Sequence, residues 1–595
     1  MIAFRFVPGT FRTGSQYLRQ CVFPAGTSLL WIAWGMFFPG GMAIGQPALG
    51  PQRVASSPEN EASIVRLPDG TLKVLWIAEG KHCLSIASRD HGRSWSTPRV
   101  EFPVPNDSAP TTRTLVDRSG RLHVCFLVCR GRGNRRHGVD LFYDIWHTRT
   151  DPQRRRWSPP RRIWAGYVGA LREMVQLRQG RILLPVGKWV RPHTSPTGSN
   201  EVRVLWTDDE GLRWHESPVA LTVPVQPHGG RIGAVEPTLV QLRSGKLWML
   251  IRNDSGWLYQ SFSQAGIRWT RPEPSRFPAS ESPAKLLRLP RGGILLLWNN
   301  CQELLPPPGK NFPAYSGRDA LHAALSLDEG RTWHGFREVF LDPLRDQTPP
   351  QYGDRGTAYP DAVVAEDGTV VLVTGQGRGR RSILRFDPRW LLQTEQEEDF
   401  ARGLRRWSVF RPFGPLKFVW RDRKPGARLV PHPDLPDRKA LHLRCEPEHL
   451  PDGAVWNFPL GRRGTLRVQL RLNPGCRGGS IALADRFFDP CDDQGERRAV
   501  FLLRFAPPGK AAVVNLPPKK WHLLALHWDL HQRRCRVEVD GRPAATLPLQ
   551  TPTPNGVCYL RLRAADGADP GWLVDQVQVK LHLPGSLSNL PFCPF

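Results

Sequence analysis

Apolar and polar residues follow the periods of β-strands along most of this chain, and helical spacing is scarce. Six stretches share one plan: SIVRLPDGTLKVLW (63–76), TRTLVDRSGRLHVCFL (112–127), REMVQLRQGRILLPVG (172–187), EPTLVQLRSGKLWMLIR (236–252), AKLLRLPRGGILLLWNN (284–300) and YPDAVVAEDGTVVLVTG (359–375). Each has a β-rich apolar run, a turn pair such as Asp69-Gly70, Ser244-Gly245 or Asp367-Gly368, and a second apolar run. Two such runs around a glycine turn are the sequence form of a β-hairpin.

A second repeat runs beside the first. SRDHGRSW (88–95), TDDEGLRW (207–214) and SLDEGRTW (326–333) share the frame Ser/Thr-x-Asp-x-Gly-x-x-Trp. Worn versions end at Trp157 and at Trp269, where Gln264 stands in place of Asp. The five tryptophans follow one another at about 60 residues. In this frame Asp and Ser/Thr side chains bond backbone N–H groups, and Gly permits a positive φ. The Trp can fill the space under the turn. Regular hairpins with no helix between them predict four-stranded blades repeated around an axis. The reading is an all-β chain that opens, after its first residues, with a six-bladed β-propeller over 55–392.

One segment, DPRWLLQTEQEEDFARGLRRW (387–407), carries helical spacing and predicts a short helix at a domain junction near 392–402. Strand patterns then resume at irregular intervals without the Asp frame. Among them, WHLLALHWDLHQRRCRVEVDGRPAATL (521–547) resembles the late strands of concanavalin- or laminin-G-like jelly rolls. That resemblance implies a β-sandwich domain over 400–583 and leaves 584–595 as a tail. Such modules often bind glycan, although fold alone does not imply function.

The N-terminus changes the picture. Arg5, Arg12 and Arg19 precede the apolar run VFPAGTSLLWIAWGMFF (22–38), and small residues follow it. This order predicts a secretory signal over 1–45, with a retained membrane anchor as the alternative. The expected location is secreted, periplasmic or cell-surface. Export permits disulfides. Of the eleven cysteines, Cys21 falls in the signal, and Cys476 with Cys491 could close a loop in the second domain. No CxxC pair and no His cluster at ligand spacing is present, so neither a metal nor an organic cofactor is expected. The net charge of +28 is carried largely by arginine. It suits anionic partners, but no nucleic-acid motif accompanies it, and nucleic acid is not expected as a partner.

In a propeller the first strand of each blade lines the axis, so polar groups at the ends of these strands converge. The six hairpins supply Arg172, Glu173, Glu236, Arg252, Tyr359 and Asp361, and Arg318 opens the strand leading into the third intact Asp frame. Here the chain resembles the sialidase (neuraminidase) superfamily, whose Asp-boxes match the repeated frame. GAVEPTLVQLRSGKLWMLIR (233–252) is similar to the sialidase segment holding an active-site Glu and a following Arg, which maps to Glu236 and Arg252. GRDALHAALSLDEGRTW followed by GTAYPDAVVAEDG is similar to the segment holding another substrate-binding Arg and the nucleophilic Tyr, which maps to Arg318 and Tyr359.

The resemblance implies a secreted exo-glycosidase that removes a terminal acidic sugar, sialic acid by default. Arginine forks suit the sugar carboxylate. A Tyr nucleophile avoids the repulsion a carboxylate would meet there, and Glu236 would be its base. Two departures stand out. The first-blade Arg is replaced near Asn60 or Glu61, with Arg172 as a substitute. The loop that would carry the acid, AEGKHC (78–83), offers only Glu79; Asp361 is the other candidate acid, although it and Glu173 could instead simply balance axial arginine charge. A non-catalytic glycan-binding propeller, or a hydrolase or lyase of another anionic polysaccharide, are the competing readings. The expected partner in all three is a glycan or glycoconjugate, and a membrane enters only through the N-terminal anchor.

Overall fold

The structure, a computed structural model, describes residues 49–78, 80–131, 141–154, 156–190, 197–225, 232–290, 292–302, 317–347, 355–412, 423–490 and 492–582. The described residues are overwhelmingly β. All six expected hairpins form, and each is the inner part of an antiparallel meander. The first sheet runs from Ser63–Arg66 out to Arg99–Pro103, and the second from Ser108–Val116 out to Arg161–Trp164. The third starts with two short strands, Val168–Leu171 and Val175–Gln176, paired with one neighbour. The fourth and fifth start at Val235–Gln241 and Lys285–Arg288. The sixth starts at Asp361–Val364, and its outermost strand is Gln52–Ala55, from the beginning of the described chain. Pairing of the earliest strand with the last sheet closes the series without an open end, as the β-propeller class does.

The Asp frames hold the turns between third and fourth strands as the residue types require. In the intact copy at 326–333, Asp328 accepts from Ser326 Oγ at 2.9 Å and from the Thr332 N–H at 2.8 Å. Ser326 Oγ accepts from the N–H of Gly330, whose φ of 88° suits glycine. The Trp333 indole donates to the Gly330 carbonyl at 3.0 Å. The worn copy at 263–269 keeps the Gly266-to-Ser263 and Trp269-to-Gly266 bonds, but Gln264 supplies no carboxylate.

The segment expected to be helical is mostly something else. Only Pro388–Leu392 is helical, a single 3₁₀ turn capped by the Asp387 side chain. Glu395–Glu398 then enters an eight-stranded sheet as a strand beside Asp569–Leu581. Pairing with a long, largely buried strand inside the sheet outweighs the local helical preference of that acidic run. The C-terminal half forms this sheet and a six-stranded one, and residues of both share a single hydrophobic core that includes Trp407, Trp456, Trp528 and Trp572. A second core joins the fourth and fifth sheets to the C-terminal half, with Phe277, Trp298 and Phe336 packed among Phe410, Phe487 and Tyr559. Cys491, the expected partner of Cys476, lies outside the described residues, as do the N-terminal segment 1–45 and the tail 584–595. Among the described residues no helix is long and apolar enough to cross a membrane.

Candidate functional site

The inner strands meet in a ring of six side chains: Ser63, Arg113, Glu173, Thr238, Lys285 and Asp361. Each stands seven residues ahead of its turn glycine (Gly70, Gly120, Gly180, Gly245, Gly292 and Gly368), so equal register brings them together. Thr238 Oγ1 donates to Glu173 Oε2 at 2.8 Å, and Lys285 Nζ donates to Glu173 Oε1 at 2.9 Å. Lys285 Nζ lies 3.4 Å from Asp361 Oδ1, and Arg113 Nη1 lies 2.6 Å from the same oxygen. Asp361 Oδ2 accepts from Ser63 Oγ at 3.1 Å and from the Ile64 N–H at 2.9 Å. All six side chains are buried.

This ring decides the place of Asp361. Burial alone would raise its pKa, but Arg113 first, then Lys285, the Ile64 N–H and Arg172, outweigh burial and hold it at about 2. It is therefore ionised at neutral pH and its oxygens are taken. The expectation of Asp361 as a catalytic acid is corrected here: it is a member of the charge-balanced ring.

Two residues ahead of the ring, Glu236 and Tyr359 face each other. The Tyr359 hydroxyl donates to Glu236 Oε1 at 2.9 Å. Both backbones are left-handed, with φ of 47° at Glu236 and 65° at Tyr359, a conformation that costs non-glycine residues energy and gathers at functional sites. The cause at Glu236 is a bulge: pairing of its strand with the next shifts register between Val235 and Thr238, which re-aims the intervening side chain. Gly187 of the third sheet permits the approach, since a Cβ there would stand 3.1 Å from the Glu236 nitrogen. At Tyr359, the preceding stretch is tied down by Thr357 N–H to Arg318 O at 2.8 Å and by Thr374 Oγ1 to Thr357 O at 2.7 Å.

Arg252 completes the group. It pairs directly across from Val235 and ion-pairs with Glu236. Its Nη1 also donates to the Tyr359 hydroxyl at 3.1 Å. Burial pulls the guanidinium pKa down, but Glu236, Tyr359 and Glu281 together carry it well above the usual value. Arg318 lies with Cζ 5.5 Å from the Tyr359 ring centre and donates to Gln376 Oε1 at 2.8 Å and to the Glu281 carbonyl at 2.9 Å. Arg172 lies 4.8 Å from the same ring and donates to the Pro360 carbonyl at 2.8 Å. Three guanidinium groups therefore surround Tyr359, as the sequence suggested. Of the departures, Asn60 accepts from the Gly377 N–H at 2.9 Å, and Glu61 acts electrostatically on Arg172. Glu79 lies outside the described residues.

Sequence reasoning missed Glu281. It follows the outer strand of the fourth sheet, and its Oε1 accepts from Arg252 Nη2 at 2.8 Å, with the side chain 10% exposed. Burial raises its pKa, and Arg252 and Arg318 offset this only in part, while Asp254 adds to the rise. Asp254 is raised by burial as well. No repeat position marks either acid. Arg113 and Lys285 were also missed, although the shared distance to the turn glycine would have found both.

Residues 114–372 match the BNR repeat-like domain family, a span from the second sheet to the sixth and less than half of the chain. No curated protein matches. Among solved structures, the chain is similar to Trypanosoma rangeli sialidase in complex with sialic acid, at 13% identity over 91% of this chain and 97% of that one, with a TM-score of 0.37. A protein of unknown function from Dyadobacter fermentans matches at 17% identity over 57% of this chain and 98% of that one, with a TM-score of 0.42. Likenesses at this level carry no inference about chemistry.

Proposed function

We propose that the six sheets are the blades of a sialidase-like propeller, that the two C-terminal sheets form a concanavalin-like sandwich, and that the protein is an exported glycoside hydrolase releasing a terminal acidic sugar, sialic acid by default. The observation that carries this reading is the 2.9 Å hydrogen bond from Tyr359 to Glu236. A phenol is a poor nucleophile at neutral pH, and a carboxylate held on its proton is the activation it needs. In the proposed reaction Glu236 takes the phenolic proton as Tyr359 Oη forms a bond to the anomeric carbon. The bond from that carbon to the glycosidic oxygen breaks, and the leaving oxygen is protonated. Water then attacks the anomeric carbon, giving up a proton that replaces the one taken by the leaving oxygen, and the tyrosyl oxygen leaves with the proton returned by Glu236. Arg252 and Arg318 would take the sugar carboxylate, with Arg172 beside the Tyr359 ring, and Arg252 also holds the Tyr359–Glu236 pair. The proton donor to the leaving group is not Asp361, whose carboxylate is ionised and enclosed by the ring.

A second reading has its own observation. The terminal nitrogens of Arg252 and Arg318 are engaged by protein groups, which favours a propeller that binds glycan without cleaving it. Hydrolysis of a fluorogenic α-sialoside by the purified protein, beside Tyr359→Phe, tests the choice. Turnover that disappears in the variant supports the hydrolase. A folded wild type with no turnover that still binds sialosides supports the binding reading.

A further inference from the structure

Arg252 is the arginine closest to the Tyr359–Glu236 pair, and its fork is already occupied. One nitrogen serves Glu236 and the Tyr359 hydroxyl, and the other serves the Glu281 carboxylate at 2.8 Å. Glu281 also touches the second arginine: Arg318 Nη2 donates to its backbone carbonyl at 2.9 Å. The short loop that carries it is firmly tied. Ser280 Oγ donates to Gly317 O at 2.6 Å, Ser282 Oγ donates to Asn299 Oδ1 at 2.8 Å, and Asn299 Nδ2 donates to Thr357 Oγ1 at 2.9 Å. A carboxylate is thus built into the place between two arginines where a ligand carboxylate would seek its partner.

We propose that Glu281 is a specificity-determining residue that competes with the carboxylate of an acidic sugar for Arg252, so that the site takes such a sugar well only when Glu281 is protonated. The inference rests on the acidic-sugar reading above. Two carboxylates cannot share one guanidinium edge without repulsion, whereas a neutral carboxyl can donate to an incoming carboxylate. Burial favours the neutral form of Glu281. The charged groups facing it are Arg252 from the fourth sheet, Arg318 from the fifth and Asp254 from the turn after Arg252. Glu236 and Tyr359 share Arg252 with it. The ligand carboxylate itself stays ionised across the range, since α-carboxyls titrate near about 3.5.

The test is calorimetric binding of N-acetylneuraminic acid and its neutral methyl ester between pH 5 and 8, by wild type, Glu281→Gln, Glu281→Ala and Asp254→Asn. Apparent affinity scales with the competent fraction. Wild-type affinity for the acid is expected to weaken by up to about tenfold per pH unit above the titration of Glu281. Both Glu281 variants are expected to bind at least about tenfold tighter than wild type at pH 8, with a flat profile. Asp254→Asn keeps the slope, and the ester shows none. Equal binding of the acid by wild type and both Glu281 variants at every pH overturns the competition while leaving the acidic-sugar reading intact. No binding of the acid by any of the four proteins, all with cooperative unfolding transitions, removes the acidic-sugar reading and this inference with it.

Discussion

Asp361 and Glu281 are both acids pressed against arginines, and they stand in opposite electrostatic states. Around Asp361, Arg113, Lys285, a hydroxyl and backbone N–H groups compensate the charge, and its pKa falls to about 2. Around Glu281, burial is offset only in part by Arg252, which is shared with Glu236, and by Arg318, so the pKa rises. One acid is a fixed charge that ties its own sheet to the first, second and fifth. The other can change its protonation state. The difference teaches that role follows from how many donors converge on a carboxylate and from how many carboxylates share each donor. Residue type and position in a repeat do not decide it.

The comparison can be broken most directly at the ring. Asp361→Asn leaves Arg113 buried without its ion pair, and a loss of about 3–5 kcal/mol is expected in urea unfolding. A loss below about 1 kcal/mol, the scale of an ordinary hydrogen bond, would show that the ring is not what fixes this carboxylate. The reacting pair is expected to behave in the reverse way. Glu236→Gln should lower turnover of an α-sialoside by about 10²–10⁴-fold, the usual worth of a positioned base. Its effect on the unfolding midpoint should be smaller than that of Asp361→Asn, because Arg252 keeps Glu281.

Acid unfolding sharpens the same contrast. The folded pKa of Asp361 lies below the unfolded value of about 3.9. Its stabilisation is therefore complete above that value and is lost as pH falls through about 2. Stability measured between pH 5 and pH 2 should fall less steeply in Asp361→Asn than in wild type. The smallest effects belong to the Asp frames. Asp328→Ala removes bonds to Ser326 and Thr332 and is expected to cost about 1 kcal/mol, with sialoside turnover unchanged. Gln264→Asp in the worn copy should recover a few tenths of that, about 0.3 kcal/mol, because its Ser263 and Trp269 bonds already hold the turn.

Much of this arrangement was legible along the chain. Alternation and turn glycines gave the six hairpins, because strand pairing and positive-φ turns are local demands that each segment answers by itself. Positions at the ends of the hairpin strands, with Arg318 at the opening of another strand, marked Glu236, Arg252, Arg318 and Tyr359. The helical reading of 387–407 failed at Glu395–Glu398, whose partner strand lies far along the chain at Asp569–Leu581. The packing of Phe410, Phe487 and Tyr559 against the fourth and fifth sheets left no periodic trace either. Asp361 read either as a candidate acid or as a balance for axial arginine charge, and the convergence of Arg113 and Lys285 decides for the counter-charge.

The sequence by itself therefore determined the all-β class, the repeated hairpins and the Asp-frame turns, which follow from local chemistry repeated at a fixed spacing, and it placed the residues gathered about Tyr359 at strand ends. The tertiary structure decided which acids are neutralised, that Glu281 enters the site, and how the C-terminal half packs on the sheets. Those depend on distances between residues far apart in the chain, and a pKa is set by such distances and by burial, neither of which has a local signature.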